Sequence, residues 1–170
     1  MGAIEKIYNN VREGVWDAKN YEAKNELSAA SIMAGLSFYN AGVAGVHALA
    51  YPLGGNFKIP HGESNAVLLP YVYNTIQKSC SNKLSKLAPI FKIDTAGKDS
   101  MAIASEIVQK LFNLVEDVGL PRNLKYYEIT ENDIELLTKN ALKQTRLLVR
   151  SPLELKEEVI RKIYTDAFEG

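Results

Sequence analysis

The two histidines of this 170-residue chain are the side chains best suited to chemistry. His47 and His61 both lie within "VHALAYPLGGNFKIPHG", and the chain has no other histidine. Neutral imidazole is the commonest transition-metal ligand near neutral pH, so the pair is a candidate for two ligands of a metal site. Taken alone, the residues favour a hydrogen-bonded core histidine for each, because a metal site normally needs three or four protein ligands.

Other kinds of chemistry have weaker support in the sequence. The segment "GESNA" resembles a nucleophile elbow only superficially, since no closing glycine follows Asn65, and Ser64 is therefore a poor candidate nucleophile. No glycine-rich phosphate loop follows a predicted strand, and neither Cys-x-x-Cys nor His-Glu-x-x-His is present. Cys80 is the only cysteine, which excludes an internal disulfide and is typical of a reducing compartment.

The elements that must position these histidines are helices. Apolar residues recur at helical spacing through most of the chain, with no alternating strand pattern. The predicted helices cover 3–16, 21–39, 43–51, 61–76, 99–118, 130–143 and 151–168, with a short one over 82–90. We therefore predict an all-α fold, a bundle of about seven helices in a single domain over residues 3–169.

Local signals predict where several of these helices begin, bend or end. Pro52 with Gly54 and Gly55 predicts the end of the third helix and a Gly-Gly turn before His61. Pro70 predicts a kink in the fourth helix. Thr130 and the acidic residue three positions later resemble a capping box.

Composition excludes some partners. Lys plus Arg and Asp plus Glu both total 20, and this neutral balance argues against nucleic acid or an anionic membrane surface as a partner. Hydrophobic residues make up 46% and charged residues 24% of the chain, as in ordinary soluble proteins. No signal peptide or apolar run of membrane-spanning length is evident, so we expect a cytoplasmic protein.

A longer segment around the histidines resembles a known signature. "AGVAGVHALAYPLGGNFKIPHGESNAVLLPYV" is similar to the signature of the iron-containing (group III) alcohol dehydrogenases. The preceding "AASIMAGLSFYNAG", the later "VEDVGLPRNL" and the closing "RLLVRSPLELKEEVIRKIYTDAFEG" also resemble that family. The resemblance thus extends over nearly the whole chain, and implies the helical C-terminal domain of the family, with a dehydroquinate synthase-like fold.

The resemblance implies specific roles for a few residues. His47 and His61 would be metal ligands for Fe2+, or for Zn2+ as in some relatives. Tyr51 would contact nicotinamide or substrate as a catalytic and cofactor-binding residue, and Phe38 would line the substrate pocket. A core tyrosine and a core phenylalanine are the respective alternatives. The family reaction interconverts an alcohol with an aldehyde or ketone, using NAD(P).

The chain also departs from the family pattern. The NAD(P)-binding domain and the helix with an Asp-x-x-x-His ligand pair have no counterpart here, so we expect an inactive C-terminal fragment. Tyr51 stands where many members have a further histidine, and a tyrosine, with a reference pKa of about 10, relays protons poorly near pH 7. Lys156 stands where a Thr or Ser usually caps the last helix, a loss of about 1 kcal/mol.

Two functions remain open at this point. In the first, the chain is the metal-binding domain of an NAD(P)-dependent alcohol dehydrogenase acting on a small alcohol or aldehyde. In the second, it is a non-catalytic helical module, whose small-residue surface around residues 28–55 drives self-association or binding to a separate N-terminal chain.

Overall fold

The computed structural model describes residues 1–170, and its regular structure is entirely helical. The α-helices are α1 Gly2–Trp16, α2 Tyr21–Ala41, α3 Gly45–Phe57, α4 His61–Leu84, α5 Ser100–Asp117, α6 Asp133–Leu142, α7 Thr145–Leu148 and α8 Glu157–Glu169. Two 3-10 turns lie at Ser85–Leu87 and Leu124–Tyr127. The all-α prediction is confirmed, and the count of eight α-helices exceeds the predicted seven because the four-residue α7 has too little periodicity to detect.

The helices group into two compact units, each built from two stretches of chain. The first unit comprises Met1–Gly42 and Ser81–Gly119, and the second comprises Val43–Cys80 and Leu120–Gly170. Both histidines belong to the second unit.

The first unit is built from α1 and α2, which pack along each other, and from α5. Gly14 allows the close approach of α1 to α2, since a β-carbon there would lie only 2.5 Å from Leu27 Cδ1. Asp99 caps α5 by accepting a hydrogen bond from the backbone N–H of Ala102, at 2.8 Å. Trp16 ties α1 to the end of α5 by donating a hydrogen bond to the carbonyl of Asp117.

The second unit has its core where α3, α6 and α8 meet. Several of its largest fully buried side chains lie on these helices: Leu49, Leu53, Leu137, Ile160, Ile163 and Tyr164. Burying an aliphatic side chain of this size contributes about 1.5–3 kcal/mol. This core holds α3, and therefore His47, in place.

The predicted end of α3 is wrong. Pro52, Gly54 and Gly55 lie inside the helix, which continues to Phe57 and ends with Lys58 in the left-handed conformation (φ 57°). Proline and glycine disfavour a helix interior by about 3 and 1 kcal/mol respectively, but complete burial of Leu49 and Leu53 offsets these local costs. The connection between α3 and α4 is therefore the turn at 58–60 and not a Gly-Gly turn.

The kink predicted at Pro70 does not interrupt the helical backbone there. α4 continues through Pro70, and the residue at which it kinks, with non-helical backbone, is Cys80 (φ −136°, ψ 16°). Leu68 and Val72, on either side of the proline, are completely buried, so packing holds the helix where one hydrogen bond is missing.

Other helix boundaries follow the sequence more closely. α1, α2 and α5 agree with prediction to within two residues at each end. The capping box predicted with Thr130 as N-cap forms only in part. The N–H and hydroxyl of Thr130 both donate to the Asp133 carboxylate, but α6 begins at Asp133, and its N-cap is Asn132 and not Thr130. α8 begins only at Glu157, with Lys156 as an N-cap whose side chain makes no capping bond.

The predicted short helix over 82–90 is replaced by the end of α4 and a 3-10 turn. No single helix is long and apolar enough to cross a membrane, and only α2 and α3 taken together, as a broken pair, reach that length and composition.

Candidate metal centre

The two histidines come together in the second unit, from consecutive helices. His47 lies in the first turn of α3, half-buried, and His61 is the exposed first residue of α4. Their ring centres are 5.3 Å apart, with the ring planes inclined at 56°. The turn between the helices is held by buried Ile59, whose carbonyl accepts a hydrogen bond from the buried Ser64 hydroxyl at 3.3 Å. Ser64 therefore has a structural role, since its hydroxyl stabilises this turn.

The separation of the two rings suits a shared metal ion. A metal held about 2.1 Å from one nitrogen of each ring, in tetrahedral geometry, places the ring centres roughly 5 Å apart. The observed 5.3 Å is close to that value. The donor set is incomplete, because no group of three or more His, Cys, Asp or Glu side chains in the chain is placed to hold an ion.

The surroundings of His47 favour the neutral imidazole. Partial burial lowers the pKa of His47 from its ordinary value, and the nearby His61 lowers it further. The neutral ring carries the lone pair that a metal needs.

Tyr51 lies beside both histidines, as its predicted role requires. It follows His47 by one helical turn on α3, and its ring stacks on that of His61 at 5.7 Å between centres, with 27° between planes. Its ring also meets that of His47 edge-on at 6.5 Å. Tyr51 is 40% exposed, so part of its surface is open to solvent or to a ligand.

Two hydrogen-bonding contacts near the start of α4 were not predicted from the sequence. Asn65, one turn further along α4, places its amide nitrogen 3.2 Å from Nε2 and 3.3 Å from Nδ1 of His61. Tyr127 donates a 2.7 Å hydrogen bond to Glu63, two residues after His61, and burial and this bond raise the pKa of Tyr127 well above its usual range. The i, i+4 spacing of His61 and Asn65 was the available signal for the first contact.

Phe38 belongs to the first unit. It lies in the last turn of α2 and is 54% exposed, so it is not a core phenylalanine.

Comparison with known proteins identifies the family of this chain. Residues 1–168 match the C-terminal model of the Fe-containing alcohol dehydrogenase family. The chain belongs to the iron-containing alcohol dehydrogenase family. It is 45% identical over 170 residues to long-chain-alcohol dehydrogenase 1 of Geobacillus thermodenitrificans, covering all of this chain and 43% of that protein.

Two further comparisons give the same result, a match of nearly the whole chain to less than half of a longer relative. It is 33% identical to 1,3-propanediol dehydrogenase of Klebsiella pneumoniae, over 99% of this chain and 43% of that protein. Its fold superposes on a crystal structure of 1,3-propanediol oxidoreductase with a TM-score of 0.94 and 31% identity, over 98% of this chain and 44% of that one. The chain thus spans less than half the length of the relatives it matches.

Proposed function

We propose that this chain provides the metal-binding helical half of an NAD(P)-dependent alcohol dehydrogenase site. In this proposal His47 and His61 supply two ligands to Fe2+ or Zn2+, and the remaining ligands come from other residues of the full site. The observation that carries the proposal is the convergence of the two imidazoles, 5.3 Å apart, from consecutive helices.

The residues of the chain have distinct roles in this proposal. His47 and His61 each present one ring nitrogen to the ion and fix its position relative to the helices. When bound, the ion would act as a Lewis acid that polarises an alcohol oxygen and favours hydride transfer to nicotinamide. Tyr51, which is 40% exposed, is proposed to donate a hydrogen bond from its hydroxyl to substrate or cofactor. Phe38 is proposed to line the substrate pocket.

We propose further that the 170 residues alone have little or no dehydrogenase activity. Two imidazoles hold a metal less well than a set of four ligands, and the all-helical chain has no strand followed by a glycine-rich phosphate loop. Turnover of NAD with short-chain alcohols by this polypeptide alone would overturn this part of the proposal.

Metal titration tests the half-site directly. The purified chain, freed of metal with a chelator, is titrated with Zn2+ or, without oxygen, with Fe2+. We expect one weak site per chain, and His47→Ala and His61→Ala should each lower its affinity by about tenfold or more. Tyr21→Ala, which removes a 73%-exposed aromatic side chain from α2, is the control and should leave binding unchanged. Unchanged binding in both histidine variants contradicts the proposal.

A second function, a helical interaction module, is favoured by the exposed face of α2. Ile32, Leu36 and Tyr39 recur at helical spacing and are 67%, 66% and 87% exposed. Contiguous exposed apolar side chains of this kind mark interaction surfaces, so we propose self-association or binding to a separate N-terminal chain.

Light scattering on a sizing column measures this association. Leu36→Lys should shift the chain to monomer, whereas Leu136→Lys, at a 46%-exposed leucine of α6, should not. A clean monomer of the unmodified chain at high concentration would count against self-association.

A further inference from the structure

The imidazole ring of His61 needs an additional contact to orient it, whereas the ring of His47 is oriented by packing. His47 is half-buried, and the next three residues of α3, from Ala48 to Ala50, are completely buried. Packing of α3 therefore restricts the direction of the His47 side chain. His61 is the exposed first residue of α4, where an imidazole has no comparable packing.

Asn65 restrains His61 from within α4. Its amide nitrogen donates a 2.8 Å hydrogen bond to the His61 carbonyl, which fixes the orientation of the amide, since an oxygen in that place would face another oxygen. The same nitrogen lies 3.2–3.3 Å from the two ring nitrogens of His61. One side-chain group thus contacts both the backbone and the ring of the same residue.

The arrangement of Asn65 has a cost within its own side chain. The Oδ1 atom of Asn65 is buried and has no hydrogen-bond partner. Such unpartnered buried acceptors are uncommon in proteins, so each has to be explained by the surroundings of the group. Here the donor end faces His61.

The ring of Tyr51 restrains the His61 ring from α3. The two rings are stacked, with 5.7 Å between centres and 27° between planes. Tyr51 contacts the His61 ring from α3, while Asn65 contacts it from within α4, so the two restraints come from different helices.

We propose that Asn65 is a positioning residue, which together with the ring of Tyr51 holds the imidazole of His61 toward His47 before any metal binds. This rests on the proposed role of the two histidines as ligands. Asn65 itself does not bind the metal. Its effect is to remove rotational freedom that metal binding would otherwise have to remove.

The first test is made on the metal-free chain, by the Hα–Hβ coupling constants of His61 in NMR spectra. Because the chain has only two histidines, His47→Ala assigns the ring signals. We expect a single χ1 rotamer for His61 in the unmodified chain and averaged couplings in Asn65→Ala. Asn65→Leu, which keeps the volume without the donor, should give the same averaging if Asn65→Ala folds poorly. A single retained rotamer in the folded variants overturns the proposal.

Asn10→Ala is the matched control. Asn10 makes the same amide-to-carbonyl bond one turn back, to Lys6 at 2.8 Å, but it lies on α1 in the first unit. Its substitution removes an equivalent helix bond and should leave the couplings of His61 unchanged. Equal averaging in Asn10→Ala would assign the effect to general loosening of helices and overturn the proposal.

The second test is Zn2+ affinity. We expect Asn65→Ala to bind Zn2+ about three- to tenfold more weakly than the unmodified chain, with Asn10→Ala unchanged. Tyr51→Phe keeps the stacked ring and should bind normally, whereas Tyr51→Ala should show a similar loss. Full Zn2+ affinity in Asn65→Ala, while His61→Ala loses binding, overturns the positioning role of Asn65 and supports the ligand role of His61. Unchanged binding in His61→Ala instead refutes the ligand role, and the NMR couplings still decide whether Asn65 orients the ring.

Discussion

The hydroxyl of Tyr164 donates a 2.6 Å hydrogen bond to the backbone carbonyl of Leu49, joining α8 to α3. Both residues are completely buried, and Leu49 lies two positions after His47. Burial also raises the pKa of Tyr164 well above its ordinary value, which keeps the hydroxyl protonated, and therefore a donor, near neutral pH. The bond fixes the helix that carries the first proposed ligand.

Tyr164→Phe should destabilise the chain by about 1–2 kcal/mol, because it removes this bond and keeps the ring packing. Urea unfolding followed by circular dichroism measures the change. Tyr126→Phe, at a 72%-exposed tyrosine, is the control and should have little effect. Equal stability of Tyr164→Phe and the unmodified chain would show that the buried bond makes no net contribution.

Gly55→Ala should stabilise the chain by about 0.5–1 kcal/mol, because Gly55 lies inside α3 and alanine favours a helix interior. A β-carbon there meets no atom within 4 Å. Thermal or urea unfolding measures the gain. Had Gly55 formed the turn predicted from the sequence, the same substitution would be destabilising.

Gly119→Ala provides the opposite case and a control for Gly55→Ala. Gly119 has a φ of +79°, and a β-carbon would lie 3.0 Å from the Trp16 ring. We expect destabilisation of about 1 kcal/mol or more, since both the backbone and the neighbouring ring oppose a side chain. The same unfolding experiments apply, and a gain in stability would contradict the left-handed turn after α5.

Lys156→Ser should stabilise α8 by about 1 kcal/mol, because Lys156 occupies the N-cap without a capping bond and serine supplies one. Lys156→Ala separates this effect from the loss of a positive charge near the helix N-terminus, and it should yield a smaller gain. Chemical unfolding of both variants gives the comparison. If the two substitutions are equivalent, the cap is not the cause.

Asp133 should make the stability of the chain fall in acid. Hydrogen bonds from the Thr130 hydroxyl and N–H lower the pKa of Asp133 below its ordinary value of 3.8. The stabilisation is therefore present above about pH 3.8 and is lost as the pH falls through the lower folded-state pKa.

Melting temperatures of the unmodified chain and Asp133→Asn measure this effect. Asp133→Asn should melt lower at about pH 7, and the difference should shrink by about pH 3. Glu131→Gln, at an exposed neighbouring carboxylate, controls for the loss of one negative charge. A difference that is constant over this pH range would contradict the proposed linkage.

The sequence predicted the amphipathic helices well and the helix ends poorly, for physical reasons. α1 and α5 each present an apolar stripe that periodicity detects directly. The free-energy cost of a glycine or proline inside a helix, as at Pro52, Gly54 and Pro70, is a few kcal/mol at most. Burial of neighbours such as Leu49 and Leu53 outweighs that cost. Sequence patterns do not contain the tertiary packing that decides such cases.

The candidate site was predicted in part for a related reason. The resemblance to the family signature singled out His47 and His61, and Tyr51 followed from its position in that same signature. Asn65 belongs to a common residue type, and its amide meets His61 only through the folding of α4. The exposure of Phe38 likewise depends on packing that the sequence does not encode locally.

The interleaved order of the two compact units has a consequence for synthesis on the ribosome. The helices of His47 and His61 are made early in the second unit, but Tyr164, which bonds to Leu49 of α3, follows that leucine by 115 positions. A nascent chain therefore carries both imidazoles long before this part of their scaffold exists. The arrangement proposed above to bind metal is complete only after α8 has been made.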